Sequence, residues 1–253
     1  PENINPCDDV IVVGDSKLEW AKAFKKLLSS LWEGDIPTID YSRIRPEGAR
    51  LKTFGGRASG ADPLNRLFDF VIKTFINAKG RKLNSLEVHD ITCMIGDIVV
   101  VGGVRRSALI SLSNLSDKRM REAKMGNWFD EEQTPWRGLA NNSVAYTEKP
   151  DMETFMEEWL SLVKSKSGER GIFNRVASQK QAAKWGRRDD SLNYGTNPCS
   201  EIILRDKQFC NLTEVVVREN DNHSHLLEKV RIATILGTFQ STLDKFQFLS
   251  SDW

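Results

Sequence analysis

The segment GGVRRSALISLS, residues 102–113, decides the fold class. Ala108, Ile110 and Leu112 alternate with Leu109, Ser111 and Ser113, so apolar or small side chains fall on both faces. That pattern predicts a mostly buried strand. Its flanks read as helix and strand in turn. Asn84, with Glu87 three positions on, predicts the cap of a helix from about Ser85 to Val100. NNSVAYT, 141–147, reads as a second short strand, and about 151–165 as a helix. The polar stretch 114–138, broken by glycine and proline, reads as a long surface loop. Strands alternating with helices argue for an α/β architecture.

Further out, Ser16 and Glu19 predict a capping box, followed by Trp20, Phe24, Leu27, Leu28 and Leu31 at helical spacing. Gly34, Pro37 and Pro46 predict irregular chain to about Lys52. Asp62 suits an N-cap, Pro63 a first helical position and Gly80 a stop. The stripe between them is Leu64, Leu67, Phe68, Val71 and Phe75. A last helix is expected over about 224–247, with His223 and His225 as its polar start.

The 253 residues suffice for one large domain or two small ones. A hydrophobic content of 40%, a charged content of 28% and a net charge of +1 are those of a soluble globular protein with no strong pull toward nucleic acid or membrane. No run of about 18 apolar residues is present, and PENINPCDDV, 1–10, lacks the pattern of a signal peptide. Four cysteines are too few for a disulfide scaffold, so reduced thiols in a cytoplasmic setting are expected. The sequon Asn141-Asn142-Ser143 then carries little weight.

NPCSEIILRDKQFCNL, 197–212, holds two of those cysteines. If 197–201 is extended, as the Asn-Pro step favours, Asn197, Cys199 and Glu201 point to one side. Pro198 makes poor central-strand sequence, so a loop or finger fits better. The Glu201 carboxylate disfavours a thiolate at Cys199, which suits a thiol that loses hydrogen as an atom better than an activated nucleophile. Cys210 could add redox capacity. The plainer alternative is a structural cysteine beside a chance carboxylate. The spacing from Cys199 to Cys210 lacks the close pair of a zinc site.

TNPCSEI at 196–202 followed by FCNL at 209–212 resembles the active-site finger loop of ribonucleotide reductases. RPEGARLKTFGGRASGADPL at 45–64, VVGGVRRSALISL at 100–112 and WRGLANNSVAY at 136–146 keep the family's order. The likeness is greatest to the adenosylcobalamin-dependent ribonucleoside-triphosphate reductases.

The resemblance implies a portion of the ten-stranded α/β barrel of that family, with 1–253 as one partial catalytic domain and the finger loop at 197–210. It implies reduction of ribonucleotides, with triphosphates as the expected substrates, to deoxyribonucleotides for DNA synthesis, with adenosylcobalamin as cofactor and most of its contacts outside this chain. Cys199 would be the thiyl radical that takes the ribose 3′ hydrogen. Glu201 would be the base on the 3′-hydroxyl, and Asn197 would hydrogen-bond the same sugar edge. Cys210 would be one of two reducing thiols.

The glycine loops 54–60 and 102–107 would handle substrate and deoxynucleotide effector, through Gly55, Gly56, Arg57 and Ser59 and through Gly103, Arg105, Arg106 and Ser107. Asn142 and Ser143, with Asn141, would line the same cavity. Read alone, both loops are equally glycine-rich turns with solvated arginines. No metal ligands are assigned. Partners would be the nucleotide, a dithiol reductant such as thioredoxin, and the remainder of the reductase polypeptide.

The family's enzymes are far longer, and the partner thiol of Cys210 comes from a strand with no match here. The chain is therefore expected to be an internal portion that cannot complete turnover alone. Steady deoxynucleotide production by the 253-residue chain would refute this. Cys93 is expected in a core, and Cys7 has no matched role. A nucleotide-binding module without chemistry predicts binding that survives Cys199→Ala. A thiol-redox protein predicts a Cys199–Cys210 disulfide without nucleotide.

Overall fold

Strand β1 (Asn5–Val12), helix α1 (Lys17–Glu33) and strand β2 (Asp35–Asp40) form a parallel strand–helix–strand unit. The computed structural model describes residues 1–51, 56–101, 104–105, 107–130, 133–166, 168, 170–186 and 188–245, with the backbone alone for 100, 101, 104 and 105. Ser16 caps α1: its Oγ accepts from Glu19 N at 3.2 Å. Its hydroxyl donates to Glu19 Oε2 at 2.8 Å, so the carboxylate returns to the cap side chain. Gly34 ends the helix at φ 104°, and a Cβ there would lie 2.5 Å from Asn3 O, so only glycine fits. The stretch after Gly34, expected to be irregular, is β2. Pro37 is tolerated because the two-stranded sheet has open edges.

Helix α2 (Asp62–Asn77) has Ala61, not Asp62, as its N-cap, without a side-chain cap bond. Asp62 is instead the first helical residue, where its charge suits the positive end of the helix. Helix α3 (Ser85–Asp97) carries the full capping box. Asn84 Oδ1 accepts from Leu86 N and Glu87 N at 3.0 Å each, and Glu87 Oε2 accepts from Asn84 N at 2.9 Å. It stops before the β-branched run Ile98–Val101, short of Val100. Residues Val100–Val101 (β3) pair antiparallel with Val104–Arg105 (β4). A single core joins these elements: Ile11, Val13, Leu27 and Leu31 meet Leu64, Leu67, Phe68, Val71, Ile91 and Met94, with Trp20, Phe24, Leu28 and Phe75 around them. Both apolar stripes thus face inward, as their periodicity requires.

Strands β5 (Leu109–Ser113), β6 (Ala140–Tyr146) and β7 (Gly171–Asn174) form a parallel sheet in that order. Edge strand β5 is half-buried throughout rather than buried, while central β6 is buried at every position but Asn141. The connection 114–138 is not the surface loop expected. It includes α4 (Lys118–Arg121) and leads into the 3-10 turn Pro135–Leu139, and it buries Met120, Ala123 and Lys124. Leu139 closes on α3 so tightly that a Cβ at Gly96 would lie 2.1 Å from Leu139 Cδ2.

Helix α5 (Met152–Ser165), capped by Asp151, buries polar Glu158 and Ser161 and exposes Met152, Met156, Trp159, Leu160 and Val163. Buried Glu158 accepts from Arg121 Nε at 2.6 Å and from Arg170 Nε at 2.7 Å, which ties α4, α5 and the start of β7 together.

Helix α6 (Arg175–Ala183), the antiparallel pair β8 (Gly195–Thr196) and β9 (Ile203–Leu204), and α7 (His223–Ser241) complete the chain. Asn222 caps α7 by accepting from His225 N at 3.0 Å, so the two histidines are the polar start expected. The helix ends at Ser241, earlier than expected, and buries none of its residues. The chain divides into two compact units, Pro1–Val176 and Ala177–Trp253. Among the described residues the strands make three pairs and one three-stranded sheet. The architecture is mixed α/β with parallel sheets, and none of the described sheets closes into a barrel. No described helix is long and apolar enough to cross a membrane.

Candidate functional site

The four residues matched to the finger loop lie in the second unit. Thr196 pairs with Ile203 and Gly195 with Leu204, so 197–202 is the tip of a β-hairpin. The tip is a turn, not the extended run expected. Ser200 N donates to Asn197 O at 2.9 Å, and Ser200 sits at φ 67°. Asn197 causes this. Its Oδ1 accepts from Ile202 N at 3.0 Å and its own N–H donates to Ile202 O at 3.3 Å. A side chain that mimics the backbone this way favours a turn over a strand. The alternation that would align Asn197, Cys199 and Glu201 is therefore lost. Asn197 is buried, whereas Cys199 and Glu201 are exposed at the tip.

Cys199 and Cys210 are both free thiols, and Cys210 is half-buried. Cys210 borders a cavity of about 420 Å³ also lined by Arg188, Leu204, Gln208, Thr234 and Thr238. Arg188, to which sequence reading assigned no role, braces the hairpin. It donates to Ile203 O and to Gln208 Oε1, each at 2.9 Å, and its guanidinium lies 4.8 Å from the Tyr194 ring centroid. Tyr194 is 1% exposed, and its hydroxyl donates to Asp189 O.

The other expected residues lie in the first unit. Gly55, Gly103 and Arg106 fall outside the described residues, and Arg105 is described by its backbone alone, paired with Val100. Of the 54–60 loop, the described residues 56–60 bond back to the chain before it: Leu51 N donates to Gly56 O and Gly48 N to Ala58 O. Gly56 takes φ 82°, and the exposed Arg57 donates to Gly48 O at 2.9 Å. Half-buried Ser59 precedes buried Gly60, which leads toward α2. Ser107 donates to Gly96 O at 2.7 Å, fastening the end of the 102–107 loop to α3.

Asn142 and Ser143 are both buried on β6. Ser143 Oγ donates to Asn141 Oδ1 at 2.8 Å, and Asn142 Nδ2 lies 3.0 Å from His89 Nε2. His89 Nδ1 meets Asp90 Oδ1 at 3.0 Å, and Arg137 grips Asp90 at 2.8 and 2.6 Å. Burial opposes charge on Asp90, but the Arg137 and His89 hydrogen bonds outweigh it and hold the carboxyl below its ordinary value. Cys93 is core, as expected. Burial, with Asp90 nearby, pushes its thiol up to about 12. Cys7 is half-buried in β1. Nothing in the spacing of His89 and Asn142 announces their contact, since 53 residues separate them.

No family model matches the chain. Curated relatives do. The adenosylcobalamin-dependent ribonucleoside-triphosphate reductase of Lacticaseibacillus paracasei is 35% identical over 82% of this chain and 28% of its own length. That of Lactobacillus helveticus is 34% identical over 85% of this chain and 29% of its own, and that of Lactobacillus leichmannii 35% over 70% and 23%. The chain thus spans about a quarter of the length of these relatives. Identity of this depth, over most of the chain and in several species, makes the chain a homologue of a segment of the adenosylcobalamin-dependent ribonucleoside-triphosphate reductases.

Proposed function

We propose that the chain is the finger-loop segment of a ribonucleotide reductase that converts ribonucleoside triphosphates to deoxyribonucleotides in the cytoplasm. The observation that carries this is the hairpin β8–β9, which holds Cys199 exposed at a tip whose sequence, TNPCSEI, resembles the family's finger loop. In the complete polypeptide this segment would form part of a ten-stranded barrel. The exposed apolar face of α5 and the unburied α7 support a larger whole, since faces of that kind are usually covered.

Adenosylcobalamin fits the tip in one respect: the Cys199 sulfur is unpaired and open to approach. When bound, the cofactor supplies the one-electron chemistry that removes the thiol hydrogen. Cys199 then takes the 3′ hydrogen of the ribose, and Glu201 accepts the 3′-hydroxyl proton. Asn197 Oδ1 is engaged by Ile202 N, so its contribution to the sugar is donation from Nδ2. Cys210, with a second thiol from elsewhere in the polypeptide, would protonate the 2′-hydroxyl so that it leaves as water, supply the two reducing electrons and end as a disulfide, and Cys199 would return the hydrogen to C3′. An external dithiol such as thioredoxin restores it. The 54–60 and 102–107 loops, with Asn142 and Ser143, serve the nucleotide substrate and a deoxynucleotide effector.

The test uses the full-length polypeptide with adenosylcobalamin, a dithiol and either CTP or CDP. Deoxynucleotide should form, and Cys199→Ala should abolish it. Product formed without the cofactor would move the radical source elsewhere. Nucleotide binding with no product under any radical source would leave a binding module. Cys199–Cys210 disulfide formation without nucleotide would favour a thiol-redox protein.

A further inference from the structure

The guanidinium of Arg188 holds two segments of the second unit at once, and each segment leads to one of the proposed active thiols. Nη1 donates to Ile203 O on β9, the strand that returns from the Cys199 tip. Nη2 donates to Oε1 of Gln208, two residues before Cys210. The guanidinium is a planar, rigid fork, so two bonds from it fix the spacing of their acceptors.

Gln208 is itself held. Its Oε1 also accepts from Arg205 N at 3.1 Å, and its own N–H donates to Arg205 O at 3.3 Å. A guanidinium and a backbone N–H can only donate, so the oxygen of this amide, not its nitrogen, faces them. These bonds close a turn in which Lys207 takes φ 56°, a conformation that a side chain disfavours. On its other side Arg188 rests on the ring of Tyr194, whose hydroxyl ties back to Asp189 O. Leu192 O, in the same loop, accepts from Gln179 Nε2 on α6 at 3.2 Å. Arg188, Gln208 and Cys210 border the same cavity. Support thus runs from α6 through Arg188 to both thiol-bearing segments.

We infer that Arg188 and Gln208 are positioning residues for the reductive half of the reaction: the clamp they form sets where Cys210 stands relative to the hairpin that presents Cys199. This rests on the proposed roles of the two cysteines. Both thiols must reach one ribose, Cys199 at the 3′ hydrogen and Cys210 at the 2′-hydroxyl. A misplacement of about 1 Å at a reacting group can cost on the order of a hundredfold in rate. The two prongs can be cut separately. Gln208→Leu removes the acceptor of Nη2 and the side-chain bond that closes the turn. It leaves the Arg188 bond to Ile203 O and the Asn197 bond to Ile202 N in place. Gln208→Glu keeps an oxygen for both donors.

The experiment uses the full-length polypeptide with adenosylcobalamin, a dithiol and CTP or CDP. In Gln208→Leu, kcat should fall at least tenfold while KM stays near that of wild type, and Gln208→Glu should restore most of the loss. In the same proteins without cofactor, alkylation read peptide by peptide should find Cys199 reacting as in wild type and Cys210 reacting faster. An unchanged kcat in Gln208→Leu, or a Cys210 rate that does not move, overturns the inference and leaves the proposed function standing. Cys199 and Cys210 rates that change together also overturn it, because Gln208 then supports the hairpin as a whole. Wild type that reduces neither nucleotide overturns the proposed function, and the positioning role with it. If Gln208→Leu does not fold, Arg188→Lys decides: an ammonium cannot hold both acceptors in one plane, and a wild-type kcat or a wild-type Cys210 rate refutes the inference.

Discussion

Replacing Glu158 by glutamine should destabilise the first unit far more than the same change one residue earlier. Glu158 accepts three hydrogen bonds, from Arg121 Nε at 2.6 Å and from Arg170 Nε and Nη2 at 2.7 and 3.1 Å. Its side chain is 3% exposed and that of Arg170 2%. Glutamine keeps the shape, but it removes the charge and places an NH2 group against guanidinium donors. Two guanidinium groups, one of them almost fully buried, lose their shared counter-charge, which costs about 3–5 kcal/mol in such sites. Glu157 also pairs with Arg121, at 2.8 Å, but is 58% exposed. Its loss should cost under about 1 kcal/mol. Urea unfolding can be followed by tryptophan fluorescence, since five of the seven tryptophans lie in Pro1–Val176. With a slope of about 1–3 kcal/mol per molar urea, Glu158→Gln should lower the midpoint by about 1 M or more. Equal midpoints for Glu158→Gln and Glu157→Gln would falsify the claim that burial, rather than pairing, sets the value of this cluster.

Asp90 yields an acid limb. Its folded pKa lies below the ordinary value of 3.8, so its stabilisation is complete above that value and is lost as pH falls through the lower folded one. Asp90→Asn should be less stable at pH 7 and flatter below pH 4 in acid titrations of unfolding. An unchanged limb would assign it to other carboxylates. Thiol labelling should separate the cysteines: exposed Cys199 reacts in the native protein, whereas Cys93, its thiol pushed up to about 12 by burial, waits for unfolding. Rapid native labelling of Cys93 would mean that α3 opens locally. Asn84→Ala removes the two bonds that its side chain accepts, from Leu86 N and Glu87 N, and keeps the Glu87 bond to the cap backbone; it should cost about 1 kcal/mol in the same urea assay, and no loss would show that the end of α3 frays.

The helices were legible because each carries its own signal. Asn84 with Glu87, Ser16, and the stripe Leu64–Val71 are local patterns, and local chemistry satisfies them. The elements missed are those that tertiary pairing creates. Strand β2 contains Pro37 and follows Gly34, so it resembles a turn until β1 pairs with it. Met120, Ala123 and Leu139 stand singly in polar surroundings and carry no period, yet they anchor the crossover between β5 and β6. Helix α5 reverses the usual rule: its polar Glu158 is buried because Arg121 and Arg170, 37 and 12 residues away, arrive to meet it. No window of sequence reveals a partner at that distance.

The same division governs the candidate site. TNPCSEI could be matched as a string, but its geometry could not be read from period alone. Alternation holds only while the backbone hydrogen bonds go to neighbouring strands. Asn197 diverts them, because its carboxamide accepts from Ile202 N and its carbonyl from Ser200 N. The tip turns and Ser200 passes into the left-handed region. A hairpin with a tip six residues long, braced by Arg188 against Tyr194, presents Cys199. Asn197 therefore does two things at once. Its oxygen shapes the turn that exposes the thiol, and the proposed function gives its nitrogen the hydrogen bond to the sugar. Asn197→Asp separates them: the carboxylate can still accept from Ile202 N, but it cannot donate. The variant should keep Cys199 as reactive toward labelling reagents as in wild type while product formation by the full-length polypeptide falls by at least tenfold, the loss expected when a single reaction-centre hydrogen bond is removed. If labelling of Cys199 slows in step with the activity, the oxygen's structural role explains the residue, and the nitrogen has no separate part.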